Sequence, residues 1–256
     1  MTTIVVKIGG KAAEDRESLG ALCDELRDVS REHRLVLVHG GGAEVTSVAR
    51  RFGIESIFRD GVRQTSPEEM DVVDMVLAGR VNSQLVRLLR ARGLDAAGLC
   101  GSDGGTFTGV PLGGEGASTR TGEVTRVDAR LLLLLLDAGY IPVVCSTSMD
   151  AQGSGLNINA DSVAFRLAAQ LEAASLVFLS DIPGVISDGS VVQALSAQET
   201  KRLIERGVIQ GGMVPKVTAS FDAMEKGVKK VIIGRYESPG SLARMLEGKE
   251  GTRLWK

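Results

Sequence analysis

The sequence predicts an α/β fold, a three-layer α/β/α sandwich around a mainly parallel central sheet. Three observations lead there. Short apolar runs of strand length alternate with segments whose apolar residues recur at helical spacing. Glycine-bearing turns follow the strands at residues 9–10, 40–42, 101–105 and 181–184. The 256 residues include 32 glycines but six prolines, which suits many tight strand-to-helix turns rather than disordered linkers.

Residues 4–7 form a buried strand, and 16–33 a helix with Leu19, Leu22, Leu26 and Val29 on one face. A second strand at 34–39 ends in three glycines, and helical residues 43–52 follow, completing the βαβ rhythm of a parallel sheet. Residues 67–92 are a helix that Ser66 can cap and Pro67 can open. A strand at 96–99 precedes a Gly- and Thr-rich stretch, 106–127, which suggests small antiparallel strands. A helix at 131–138 and a buried strand at 141–145 complete a first lobe, 1–146. The second lobe, 147–256, opens with a loop to residue 161. It continues with a helix at 162–171, a strand at 176–179, helices at 197–207 and 216–226, a strand at 230–233 and a last helix at 241–247.

The composition narrows the function. With 43% hydrophobic and only 4% aromatic residues, the core is built from Val, Leu, Ile and Ala. Thirty basic against 32 acidic side chains give a net charge of −2, which argues against a general nucleic-acid scaffold. Cys23, Cys100 and Cys145 fit neither a zinc site nor a disulfide framework and read as buried thiols. No segment resembles a targeting signal, and the longest apolar run, 131–136, falls far short of the roughly 20 residues that span a bilayer. A soluble cytoplasmic protein is expected.

Two lysines carry the chemical reading. Lys7 ends an apolar strand before Ile8-Gly9-Gly10, and Lys216 follows Gly211-Gly212-Met213-Val214-Pro215. A fixed positive charge beside backbone amides that no side chain covers is what a phosphate needs. Neither Gly-x-x-x-x-Gly-Lys-Ser/Thr nor Gly-x-Gly-x-x-Gly after the first strand is present, so P-loop and dinucleotide readings lose ground. Asp161 has a structural use as a helix cap or first-turn acid. Its alternative is to orient the lysines or lie near a metal. Asn157 and Asn159 offer amide groups to a carboxylate, and Arg63 offers a fork that can grip one. His39 ends a strand beside three glycines, but without a Ser or Cys signature a hydrolase triad is not indicated. No His, Asp and Glu spacing marks a metal site.

These segments together resemble the amino-acid kinase family, in its branch that phosphorylates N-acetyl-L-glutamate. The likeness runs in order through Val5-Val6-Lys7-Ile8-Gly9-Gly10, Val38-His39-Gly40-Gly41-Gly42, Asp60-Gly61-Val62-Arg63 and the branch-specific stretch from Glu69 to Asn82. It continues through Gly139-Tyr140-Ile141-Pro142-Val143, Asn157-Ile158-Asn159-Ala160-Asp161, Ser180-Asp181-Ile182-Pro183-Gly184-Val185 and Gly211-Gly212-Met213-Val214-Pro215-Lys216.

The resemblance implies the amino-acid kinase fold and ATP-dependent phosphorylation of the γ-carboxylate of N-acetyl-L-glutamate, in arginine biosynthesis. By the same likeness Lys7 and Lys216 stabilise the phosphoryl group in transit and Asp161 holds both lysines. Gly9, Gly10, Gly41 and Gly42 supply amides to phosphate and substrate, with Arg63 and Asn157 on the substrate's carboxylate. Asp181, Gly184, Gly211 and Gly212 lie on the nucleotide side, and Mg²⁺ accompanies the ATP, held by phosphates and water. Ser102, Ser180, Lys11 and the Ser/Thr-rich loop 145–155 depart from the usual pattern and leave the acyl group open. The alternatives are a carrier-linked 2-aminoadipate or glutamate kinase of lysine biosynthesis and a non-catalytic sensor of the same fold. A chain that begins directly at the first strand is expected, by this likeness, to be a homodimer insensitive to arginine, with the apolar face of 72–77 available to a partner.

Overall fold

The computed structural model describes residues 1–9, 15–114 and 116–256. Strand β1 (Thr2–Ile8) is followed by helix α1 (Arg16–Val29), β2 (His33–His39) and α2 (Gly42–Arg51). A short hairpin of β3 (Phe58–Arg59) and β4 (Val62–Arg63) leads into α3 (Pro67–Asp74), a π-helical stretch (Met75–Val81) and α4 (Asn82–Arg90). Next come β5 (Ala96–Leu99), β6 (Phe107–Pro111), β7 (Thr121–Val127), α5 (Arg130–Asp137), β8 (Ile141–Cys145), β9 (Thr147–Met149) and β10 (Gly155–Ile158). Helix α6 (Ala160–Gln170) and β11 (Ser175–Leu179) precede β12 (Ile186–Ser187), β13 (Ser190–Val191), β14 (Ala194–Ser196) and α7 (Ala197–Glu205). The chain closes with α8 (Met213–Glu225), β15 (Val231–Gly234), α9 (Ser241–Leu246) and β16 (Thr252–Trp255).

The chain forms two compact units, one of Met1–Leu37 with Ala164–Lys256 and one of Val38–Val163. This division does not follow the single boundary expected near residue 146. The reason is strand pairing: β1 lies parallel to β11, so the first strand joins residues far along the chain. In the first unit the strands run β14-β16-β15-β11-β1, parallel except where β15 meets β16. Strands β11 and β15 are wholly buried, as are Ile4, Val5, Val6 and Ile8 of β1, the pattern of a parallel sheet covered on both faces. Helix α1 buries Leu19, Leu22, Cys23 and Leu26, and Asp15 caps it by accepting from the Ser18 amide at 2.8 Å.

In the second unit β5 and β8 pair in parallel, and β6-β7-β10-β9 form a separate four-stranded sheet. The expected helix over 67–92 begins as anticipated, with Ser66 accepting from the Glu69 amide at 3.1 Å and Pro67 in the first turn. Its middle is π-helical. Val72, Val73, Val76 and Leu77 pack with Val45, Ala49, Met70 and Cys145 in one buried cluster, so most of the apolar face expected to meet a partner is used internally. Met75 alone of 72–77 is an exposed large apolar side chain. Cys23 and Cys145 are buried and Cys100 half-buried, all as free thiols; burial pushes the Cys145 thiol up to about 11. Among the described residues no helix is long and apolar enough to cross a membrane.

A buried asparagine ties this unit together. The Asn82 amide donates to His39 Nε2 at 3.0 Å and to the Val143 carbonyl at 2.8 Å, and His39 Nδ1 pairs with the Gly40 carbonyl at 2.9 Å. His39 Nε2 thus accepts and Nδ1 donates, which describes a neutral structural imidazole. Asn82 reaches Val143 only because its neighbour on β5 is Gly98; a Cβ there would sit 1.9 Å from Asn82 Oδ1. Gly98→Ala is therefore expected to destabilise the fold by about 1–3 kcal/mol. Denaturant unfolding checks this, and an unchanged midpoint would contradict it.

Candidate active site

In the first unit both lysines relate to one residue, Phe178. Lys7 on β1 is the parallel partner of Phe178 on β11, and residues paired this way point to the same face. Phe178 is fully buried, and Lys216 Nζ lies over its ring, 5.4 Å from the centroid. Such a contact favours a cation on an apolar floor. Lys216 lies in the first turn of α8, three residues later in the helix than expected, because the helix begins at Met213 with Gly212 as its cap. The positive end of the helix dipole opposes a cation there, and a bound anion offsets that cost.

Gly9 has a specific steric role. A Cβ at this position would lie 2.4 Å from Lys7 Nζ and 3.1 Å from the Leu179 carbonyl oxygen. Its absence lets the Lys7 ammonium fold across the end of its own strand. Gly211 has φ +56°, and a Cβ at Gly211 or Gly212 would meet nothing within 4 Å, so this turn faces open space at the start of α8. Asp181 is exposed, and its carbonyl accepts from Arg235 Nη1 at 3.4 Å; Gly184 has φ +149° against Thr252 and Val191. Gly10 and Lys11 lie outside the described residues.

The second unit gathers the candidates for the acyl amino acid. Gly41 caps α2 with φ +152°, where a Cβ would come within 2.9 Å of Leu77, so the chain enters the helix with no side chain over its first amides. Arg63 is buried and ends the β3–β4 hairpin. Its Nη1 donates to Glu69 Oε1 at 2.6 Å and to Ser56 Oγ at 2.5 Å. Its Nη2 donates to the Gly42 carbonyl at 2.9 Å and to Thr46 Oγ1 at 2.8 Å, and the guanidinium lies 4.7 Å from the Phe58 ring centroid. Four of its five N–H groups thus have protein acceptors, which joins Arg63 to the first turn of α2.

Asn157 lies on β10, where its Nδ2 donates to Thr65 Oγ1 at 2.9 Å. Thr65 is two residues beyond Arg63 and fully buried. Asn159, not Asp161, caps α6: its Oδ1 accepts from the amides of Asp161 at 2.8 Å and Ser162 at 3.3 Å. Asp161 is the second helical residue, so the capping role open to it in the sequence is filled by its neighbour. On α3, burial raises the Asp74 carboxyl above its ordinary range, against a lowering hydrogen bond with Thr147 and aided by Asp71.

The structure therefore groups Lys7, Gly9 and Lys216 in one unit, and Gly42, Arg63 and, through Thr65, Asn157 in the other. Phe178 and Glu69 were not among the expected residues. Glu69 stands three residues after Ser66, where a sequence reads as a capping box. Its carboxylate turns instead to Arg63 and Ser56. Among the described residues, no group of three or more His, Cys, Asp or Glu side chains could hold a metal ion.

This arrangement, a parallel sheet ending in glycine turns with Lys216 over a buried ring and Lys7 on the strand beside it, is that of a phosphoryl-handling α/β protein. A model of the amino acid kinase family matches residues 2–235, and the chain belongs to that family. Its relatives include the acetylglutamate kinase of Chloroflexus aurantiacus (strain ATCC 29366 / DSM 635 / J-10-fl), 43% identical over 91% of this chain and 92% of that protein. The acetylglutamate kinase of Geobacillus kaustophilus (strain HTA426) is 40% identical over 90% and 89%. Among solved structures, N-acetylglutamate synthase from Neisseria gonorrhoeae with coenzyme A and N-acetyl-glutamate superposes at a TM-score of 0.85 and 26% identity, over 100% of this chain and 59% of that one. Carbamate kinase from Giardia lamblia bound to AMP-PNP, at 18% identity and a TM-score of 0.71 over 100% and 98%, shares the fold.

The Arg63–Glu69 pair leads to a direct expectation. Both side chains are nearly inaccessible, 8% and 2% exposed. Glu69→Gln keeps the shape but leaves a buried guanidinium without its carboxylate, so it should cost about 3 kcal/mol of unfolding free energy. Chemical denaturation measures this, and a variant as stable as the parent would contradict the assignment.

Proposed function

We propose that this chain transfers the γ-phosphoryl group of ATP to the γ-carboxylate of N-acetyl-L-glutamate, forming N-acetyl-L-glutamyl 5-phosphate in arginine biosynthesis. The observation that carries this reading is the placement of both lysines by Phe178: Lys7 is its register partner across β1 and β11, and Lys216, near the start of α8, holds its ammonium over the ring. Identity of about 40% to several acetylglutamate kinases, over nine-tenths of the chain, selects the substrate.

A carboxylate oxygen forms the new bond to phosphorus while the bridging bond to ADP breaks. The nucleophile is already ionised, so no general base is needed, and positioning and electrostatics do the catalysis. Lys7 and Lys216 meet the charge on the phosphoryl oxygens, with Asp161 as their orienting group. The amides of Gly9 and Gly10 serve phosphate, and those of Gly41 and Gly42 at the start of α2 serve substrate. Arg63 fixes that helix end and offers its remaining N–H, while Asn157 binds the acyl amino acid. Asp181, Gly184, Gly211 and Gly212 lie on the nucleotide side. The donor set suits ATP: two ammonium groups and exposed glycine amides. Mg²⁺ fits as an ion held by the phosphates and water, where it neutralises charge. We further propose a cytoplasmic homodimer.

A hydroxamate assay with ATP, Mg²⁺ and N-acetyl-L-glutamate tests the proposal. Acyl phosphate with that substrate is expected. Turnover only with carrier-linked aminoadipate would select the alternative kinase, and ATP binding without turnover a sensor. Gly9→Ala is expected to fold, since the mobile end of Lys7 can move and the Leu179 carbonyl at 3.1 Å need yield only slightly, yet to lose at least roughly tenfold in turnover because that ammonium is displaced. Parent-like rates for Gly9→Ala would contradict the role of Lys7.

A further inference from the structure

Arg120 appears in none of the expected roles, yet it joins three parts of the second unit. Its backbone lies between the two segments that carry the substrate candidates. The Arg120 amide donates to the Thr65 carbonyl at 2.7 Å, and the Arg120 carbonyl accepts from the Asn157 amide at 2.9 Å. The same two residues meet through their side chains, Asn157 Nδ2 to Thr65 Oγ1. Where residue 120 sits therefore sets where Asn157 stands relative to the Arg63–Thr65 segment.

The Arg120 side chain fixes that position from the other end. Its Nε donates to the Gly155 carbonyl at 2.8 Å, and its Nη2 to Asp150 Oδ2 at 2.7 Å and to the Ser154 carbonyl at 3.1 Å. Asp150 organises the loop that these carbonyls belong to, its Oδ1 accepting from the amides of Gln152 at 3.0 Å and Ser154 at 2.9 Å. This is the loop whose composition departs from the usual pattern, and it runs directly into β10, the strand bearing Asn157. The ion pair is sheltered, with side chains 15% and 8% exposed. Burial opposes ionisation of Asp150, but the Arg120 side chain and the Ser154 and Gln152 amides outweigh it and hold the carboxyl below its ordinary range.

We propose that Arg120, clamped by Asp150, is a positioning residue that sets Asn157 for the acyl amino acid and leaves the ATP side untouched. The proposal rests on the reading that Asn157 binds this substrate. Loss of a charge-assisted contact set that serves ground-state and transition-state binding alike raises KM while leaving kcat.

Steady-state kinetics of Arg120→Met, Arg120→Lys, Asp150→Asn and Asn157→Ala decide it. Arg120→Met should raise the KM for N-acetyl-L-glutamate by roughly tenfold or more, with the KM for ATP and kcat within about threefold. Arg120→Lys, which keeps the charge but not the fork, should fall between parent and Arg120→Met. If Arg120→Met does not fold, Asp150→Asn carries the same expectation of a substrate-selective rise. Equal rises in both KM values, or none, would overturn the proposal and leave Arg120 a general stabiliser. A raised KM in Asn157→Ala beside a parent-like Arg120→Met overturns the positioning claim alone; a parent-like Asn157→Ala overturns the substrate reading beneath it.

Discussion

The parallel register of β1 on β11 is the constraint on which the proposed phosphate chemistry depends. It pairs Lys7 with Phe178, and Phe178 is the surface over which Lys216 places its charge. A shift of one residue would turn Lys7 to the opposite face of the sheet. The register is secured by the apolar residues around it, since Val5 and Val6 pair with Leu176 and Val177 and all four are fully buried. Hydrophobic packing of an ordinary sheet thus fixes the relation between a charged group near the beginning of the chain and one beyond residue 210. Phe165 adds to this floor, its ring 4.7 Å from that of Phe178.

The second unit is organised around a buried cation. Arg63 would be costly in this setting without Glu69, and the pair is completed by Ser56, Thr46 and the Gly42 carbonyl. The hairpin that delivers Arg63 is thereby tied to the helix end whose amides are proposed to meet the substrate. By the proposed role of Arg63, stability and recognition would share the same groups here, which is a reason for it to have so many protein partners.

The sequence was most legible where burial is complete. Residues 4–6, 141–145 and 176–179 are continuous apolar runs, as in strands covered on both faces, and such runs need no periodicity to be seen. Helix starts at Pro67 and the glycine turns at 40–42 were legible for local reasons, in cap and turn chemistry. The hairpin at 58–63 was not, because strands of two residues have no period to detect. The π-helical stretch was hidden too, since Val72, Val73, Val76 and Leu77 recur at a four-residue spacing that the sequence of an α-helix also shows. At the site, Lys7 and Lys216 could be picked out by their glycines, but Phe178 could not, since only the register connects them. Glu69 carried a misleading local signal. Asn159 and Asp161 are both good caps two residues apart, and the backbone alone decides between them.

By their proposed role, the two lysines act on the phosphoryl group in transit more than on ATP at rest. Single-turnover transfer to N-acetyl-L-glutamate, measured beside calorimetric ATP affinity in Lys7→Met and Lys216→Met, tests it most directly. Transfer should slow by roughly a hundredfold or more while ATP affinity falls less than about tenfold. Equal losses in transfer and in ATP affinity would show that the lysines merely bind the nucleotide, and would contradict it.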